Sequence, residues 1–386
     1  MSAGFQPPQL GYVKVRRSSD PRSNRLTPLL KPDQQIIPVE RVPFALLETG
    51  FARACDAHPA AFSEFDVGVA GFRLRVEVVG TDLAATMRRA FSHLIVPKAA
   101  AQPDLALRVW DEAATGIKVP GQFSRERRRD GDVEILLKIS EDGRYVCEQR
   151  DLSVSWLDTV SSRIVGCVSS ARCQYLDERA RPYHKLISAW LDERGIQFVH
   201  AGLIGSGDTG VLFVGNGGAG KSTSSVACLR AGLGYLGDDF VGIESNEGTY
   251  TGHGLFSSCL LDVHHLERFP DLKRHAVPAH QDFENKSILY LADMYPGTLR
   301  RSVPIAAVML PRVVRKEETT YRRASKAQAL FAIAPTSVMF LPRPSQRAFD
   351  RVADLVERVP AYWLELGSNV DRIPDAVRAL AAEVSH

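Results

Sequence analysis

In the stretch Gly215-Asn216-Gly217-Gly218-Ala219-Gly220-Lys221-Ser222-Thr223 the first eight residues satisfy the pattern G-x-x-x-x-G-K-[ST] without a departure. Glycines at these positions let successive backbone N–H groups point into one concavity, where they cradle phosphate oxygens. Lys221 adds a point charge for the β- and γ-phosphates, and the Ser222 hydroxyl is a hard oxygen suited to Mg²⁺. A short gap later the chain carries two adjacent acids, Asp238-Asp239. Beside a polyphosphate, one carboxylate can hold Mg²⁺ and the other can accept the proton of an attacking hydroxyl. The residues alone leave open which acid does which. Adjacent carboxylates repel, so one titrates higher unless the metal and Lys221 neutralise the pair. His200 is a further side chain able to do chemistry, although a lone histidine on an apolar strand is more often a satisfied core residue. Plainer alternatives are a glycine-rich turn and an aspartate pair closing a strand. In combination these residues imply binding of ATP or GTP with Mg²⁺.

Such groups work only when secondary structure brings them to one place. The apolar run 211–214 predicts a buried strand entering the loop, and 222–230 predicts a helix closed by Gly232. A strand, a glycine loop and a helix start in that order aim a helix N-terminus at the phosphates. Residues 196–204, which include His200, predict a strand, and 205–210 a tight turn. So short a connection makes the two strands an antiparallel hairpin, whereas a doubly wound sheet needs a helical crossover there. Residues 233–236 predict a strand beside the loop strand, with Asp238-Asp239 at its end. A helix over 174–194, ending at Gly195, leads into this unit.

At 386 residues the chain has room for two domains and a tail. Residues 1–40, proline-containing and basic, predict a poorly ordered tail. Residues 41–173 predict an α+β domain, with strands at 72–78, 105–109, 133–139, 145–149 and 152–156 and a helix at 81–94. The run Arg125-Glu126-Arg127-Arg128-Arg129 reads as a charged hairpin tip beside the turn at 130–132. Residues 174–386 form the nucleotide-binding unit. A net charge of +3 is too small to demand nucleic acid or an anionic membrane as partner. No apolar run reaches bilayer-spanning length, and the N-terminus lacks a secretory h-region. Six cysteines lie scattered without CxxC spacing, so they read as reduced thiols, not as disulfides or a zinc site. The histidines 253, 264, 265, 275 and 280 are irregularly spaced and read as solvated loop residues. A cytoplasmic location fits these features.

The segment HAGLIGSGDTGVLFVGNGGAGKST, followed by GYLGDDF, resembles the nucleotide-binding core of bacterial HPr kinase/phosphorylase and its diverged relatives. That resemblance implies a mixed-sheet α/β P-loop kinase core of the type shared with phosphoenolpyruvate carboxykinases, preceded here by the N-terminal α+β domain. It implies Asp238 as the general base on a serine hydroxyl, Asp239 as the metal-side or supporting acid with Ser222, and His200 as a helper to the reacting groups. It further implies that Arg300, before the late strand at 303–310, reaches the transferring phosphate. Lys286 stands where related kinases often carry a lysine, and 359–367 looks like the C-terminal part of these relatives. Two departures stand out: Thr223 replaces the acid usual after the loop Lys-Ser, and the Glu-[Ile/Val]-Arg-Gly signature is missing. The phosphoryl chemistry transfers through the resemblance, whereas HPr as acceptor does not.

The leading expectation is therefore an ATP-dependent kinase phosphorylating a hydroxyl, foremost a serine of a protein or peptide. One alternative is a small-molecule kinase on the same fold. Another is a nucleotide-gated scaffold in which ATP closes two domains around a partner with little turnover. A homo-oligomer is compatible with all three.

Overall fold

The computed structural model describes residues 44–119, 136–280, 285–338, 341–342 and 345–385. The expected basic tail, the turn at 130–132 and the Arg125–Arg129 run lie outside the described residues, and the strand expected over 133–139 is described from Leu136. The described fold is mixed α/β, built on an eight-stranded sheet, a nine-stranded sheet and a small three-stranded one.

Alternation sets the first sheet. In Phe72–Val79 the residues Leu74, Val76 and Val78 are buried, whereas Arg73, Arg75 and Glu77 point to the partly solvated face. Phe72–Val79 runs parallel to Leu105–Asp111, which runs parallel to Arg163–Val168, and the remaining ladders are antiparallel. Phe44–Ala57 packs Leu47, Phe51 and Ala54 against Trp110 and Trp156 on one face. The other face joins a core that continues into the second sheet through Leu186, Trp190 and Phe198.

The helix expected over 174–194 is two helices, Leu176–Ala180 and His184–Asp192, separated by Arg181-Pro182-Tyr183. The steric cause is local. Proline disfavours the helical conformation of the residue before it, and Tyr183 adopts a positive φ of 57°. The broken segment is fastened to the first sheet by a buried ion cluster. Arg150, only 2% exposed, donates to Glu148 at 2.9 Å and to both Asp177 oxygens at 3.0 Å, and Lys185 approaches Glu148 at 3.3 Å.

In the second sheet, Ala201–Ser206 and Thr209–Val214 form the expected hairpin, pairing Ala201 with Val214 and Ser206 with Thr209. The strand expected over 196–204 is interrupted at His200. Ile196–Val199 leaves the hairpin and pairs antiparallel with Val241–Asn246. Thr209–Val214 runs parallel to Ser302–Val313, which runs parallel to Ala361–Leu366. Gly234–Gly237 does not lie beside the loop strand as its position in the sequence suggests. It pairs with Ala201–Ser206, one strand further out. The hairpin has inserted its own first strand between them, and the carboxyl ends of Gly234–Gly237 and Thr209–Val214 still share one edge. Lys221–Arg230 covers this part of the sheet through Val226 and Leu229, which join Val211, Phe213 and Met309 in one core. The fit is close: a Cβ on Gly202 would lie 2.5 Å from Ser225 Oγ. No helix among the described residues is long and apolar enough to cross a membrane.

Candidate phosphoryl-transfer site

The loop follows Val214 at the carboxyl end of its strand and runs into the helix at Lys221. Gly218 and Gly220 hold φ of +80° and +108°, which side chains rarely tolerate. Gly220 also lacks room, since a Cβ would lie 2.4 Å from Leu366 Cδ1. Asn216, Gly217 and Gly218 form the exposed rim. The Lys221 ammonium is buried across the loop and donates to the Gly215 carbonyl at 2.7 Å and the Asn216 carbonyl at 3.3 Å. Burial pushes its pKa down, opposed by the charges of Asp239 and Asp238. Thr223 is turned into the buried side of the helix.

The two acids sit at the same edge in unlike surroundings. Asp238 is 3% exposed. Its Oδ1 accepts from the Tyr235 hydroxyl at 3.0 Å and its Oδ2 accepts from the Cys259 thiol at 3.3 Å, and the Ser222 side chain is near enough to favour its charged form. Burial, and then the Asp238 charge, pushes Tyr235 and Cys259 well above their ordinary values, so both remain protonated donors. Asp239 is the more open of the pair, with about a quarter of its side chain exposed, and it is gripped on both oxygens. Arg181 Nη1 donates to Oδ2, and His200 Nε2 is paired with Oδ1. Burial alone would raise both carboxyls. For Asp238 it prevails over the opposing Arg181 charge, whereas Arg181 and then His200 hold Asp239 well below the usual range. The environments thus push the two acids apart.

His200 is placed by its neighbours. Its backbone N–H donates to Ser337 Oγ at 3.1 Å, and its ring lies 5.6 Å from that of Phe240, whose other neighbour is the stacked ring of His184 at 5.1 Å. Burial pushes His184 down to about 4, so it packs as a neutral ring. Lys286, exposed at the start of Lys286–Tyr290, is close enough for its charge to act on Asp239 and Lys221.

The structure therefore brings together the loop, Asp238, Asp239, His200 and Lys286, but not Arg300. The Arg300 guanidinium donates to the Gly207 carbonyl at 2.6 Å and lies against Gly234, at the hairpin-turn edge of the sheet. The reason is strand direction. Arg300 precedes a strand parallel to the loop strand, so it leaves at their amino ends, while the phosphate loop leaves at the carboxyl end. Sequence reasoning missed Arg181, Tyr235 and Cys259. Of these only Arg181 left a signal, the Arg-Pro step that breaks the helix.

The Ser222 hydroxyl and the Asp238 carboxylate form an all-oxygen donor pair beside the phosphate loop, which fits Mg²⁺. Among the described residues no group of three His, Cys, Asp or Glu side chains is arranged to hold a metal, and His253 is occupied with Glu244 at 3.1 Å. Four of the six thiols are buried.

The fold class these elements define is mixed α/β, with a glycine-rich loop at the carboxyl end of a parallel strand pair inside a mixed sheet. No protein-family model matches the chain, and no curated protein matches it. Among solved structures it is similar to the HPr(Ser) kinase/phosphatase from Coxiella burnetii, at 12% identity and a TM-score of 0.30, over 49% of this chain and 99% of that one. A likeness at that score leaves any functional reading to rest on the site itself.

Proposed function

We propose that the chain is a phosphotransferase that moves the γ-phosphoryl group of ATP or GTP to a hydroxyl, foremost a serine of a protein or peptide. One observation carries this reading: at the edge where the glycine loop leaves the sheet, the buried Asp238 has Ser222 of the loop nearby while Asp239, next in sequence, is held by Arg181 and His200. A metal-side acid and an acceptor-side acid thus flank the phosphate cradle. The resemblance implied the opposite order, with Asp238 as base. Access favours the exchange: Asp239 is the more open acid, whereas the Asp238 oxygens are covered by Tyr235 and Cys259, although the Arg181 and His200 contacts that hold Asp239 low work against proton uptake.

In this reading the loop N–H groups and Lys221 bind and orient the phosphates, so charge developing on the transferring group meets fixed donors. Ser222 and Asp238 would hold Mg²⁺, which supplies charge neutralisation at the phosphates when bound. Asp239 accepts the proton of the acceptor hydroxyl as the new O–P bond forms and the bond to the β-phosphate oxygen breaks. The nucleoside diphosphate leaves, and the Asp239 proton passes to solvent. His200 orients the carboxylate and shares the incoming charge. Within the same reading, residues 41–173 are a supporting domain and 174–386 the kinase domain.

The test is labelled γ-phosphate transfer to proteins in an extract of the source cells. Wild type is expected to label an acceptor. Lys221→Met is expected to abolish labelling, and Asp239→Asn to abolish it while nucleotide still binds. Nucleotide binding with no acceptor-dependent turnover would refute the reading and favour a nucleotide-gated scaffold.

A further inference from the structure

Asp239 is held from two sides, and only one of its partners belongs to the loop–hairpin unit. The other, Arg181, comes from the break between the two helices that join the sheets, about twenty positions before His200 and on the far side of the Ile196–Val199 strand. Its side chain is 5% exposed. It donates through Nη1 to Asp239 Oδ2 and lies over the Phe240 ring at 5.3 Å, while its Nε is buried without a partner. A buried guanidinium with an orphan N–H is costly, so this residue is not there for stability alone.

The break that carries it is itself constrained. Pro182 and the positive φ of Tyr183 set its shape. On one side, Asp177 is fixed to Arg150. On the other, Lys185 is fixed to Glu148 and His184 is stacked on Phe240. Of the anchors, Glu148 lies in a strand of the first sheet, Tyr145–Gln149, and Arg150 directly follows that strand. The first sheet, which supplies no group to the phosphate cradle, thereby fixes the guanidinium that meets the candidate base.

We propose that Arg181 is a positioning residue for the transfer, locking the Asp239 carboxylate in one orientation against His200, and that the first sheet serves as the platform for that lock. The proposal rests on the phosphotransfer reading. A carboxylate held at one oxygen rotates, whereas one held at both presents its free lone pairs in a fixed direction. Misplacement of a reacting group by about 1 Å can cost on the order of 100-fold in rate.

The experiment uses the full chain with Mg·ATP and water as the acceptor, so no acceptor need be known. Phosphate release gives kcat, a fluorescent ATP analogue gives nucleotide affinity, and urea unfolding reports the fold. Arg181→Ala is expected to lower kcat by roughly 100-fold while nucleotide affinity changes by less than about threefold, and free guanidinium is expected to restore part of the rate. Arg181→Lys keeps the charge without the planar fork and is expected to fall by about tenfold. This variant carries the test if Arg181→Ala does not fold. Wild-type kcat in either folded variant overturns the proposal, as does a rate loss matched by lost nucleotide affinity and unmoved by guanidinium. A wild type that binds nucleotide yet neither releases phosphate nor labels an acceptor in the extract overturns the phosphotransfer reading first, and this proposal with it; where an acceptor is labelled, the labelling rate takes the place of phosphate release for both variants. A wild type that turns over while Lys221→Met does not keeps the two failures distinct.

Discussion

Replacing Glu148 by glutamine tests the anchor beneath the site. Glu148 is 6% exposed and lies between Arg150 at 2.9 Å and Lys185 at 3.3 Å. Burial works against its charge, but chiefly Lys185 and then Arg150 overcome it and lower its carboxyl to about 2 from an ordinary 4.5. That difference is worth about 3 kcal/mol of stability at neutral pH. Part of it is offset, because burial outweighs Glu148 at Lys185 and pushes that ammonium below its ordinary value. A net of about 2 kcal/mol is the working figure, and a fall in Tm of about 5 °C follows for a domain of this size. The sign with pH is fixed. The folded carboxyl titrates below its unfolded value, so its contribution is complete above about pH 4.5 and fades as pH falls toward 2. Urea midpoints of wild type and Glu148→Gln should differ most at neutral pH, draw together below about pH 4 and converge toward pH 2. A gap that stays constant from neutral pH to about pH 3, or one under about 0.5 kcal/mol at neutral pH, refutes the reasoning.

Other expectations follow from the same geometry. Gly220→Ala combines a φ of +108° with a 2.4 Å approach to Leu366, so nucleotide affinity should fall by at least roughly tenfold, measured with a fluorescent ATP analogue. Arg300→Ala removes a side chain from the opposite edge of the sheet and should leave nucleotide affinity and turnover within about twofold of wild type. A loss of turnover alone in that variant would restore Arg300 to the site. Asp238→Asn should weaken the Mg²⁺ dependence of nucleotide binding, which titration of Mg²⁺ against fixed ATP would detect, whereas Asp239→Asn should not.

Much of the fold was legible because local rules sufficed. The alternation in Phe72–Val79, the tight turn between Ser206 and Thr209, and Gly232 closing the loop helix are written in residue types a few positions apart. The helix over 174–194 was misread for an equally local reason, since its apolar periodicity continues across Pro182 while the backbone does not. The placement of Gly234–Gly237 beside the hairpin strand had no local signal, because strand order is decided by which apolar faces meet.

The sequence by itself determined the shape of the glycine loop, since glycine best tolerates the positive φ at Gly218 and Gly220, and it placed a lysine and a serine directly after it. It also determined that two acids and a histidine accompany that loop. The tertiary structure alone decided how they differ. Asp238 is enclosed by Tyr235, Cys259 and Ser222, Asp239 is held by Arg181 and His200, and Arg300 is carried to the other edge. Those assignments depend on burial and on charges far apart along the chain. Two adjacent aspartates have the same intrinsic acidity, so only their surroundings can give them different work.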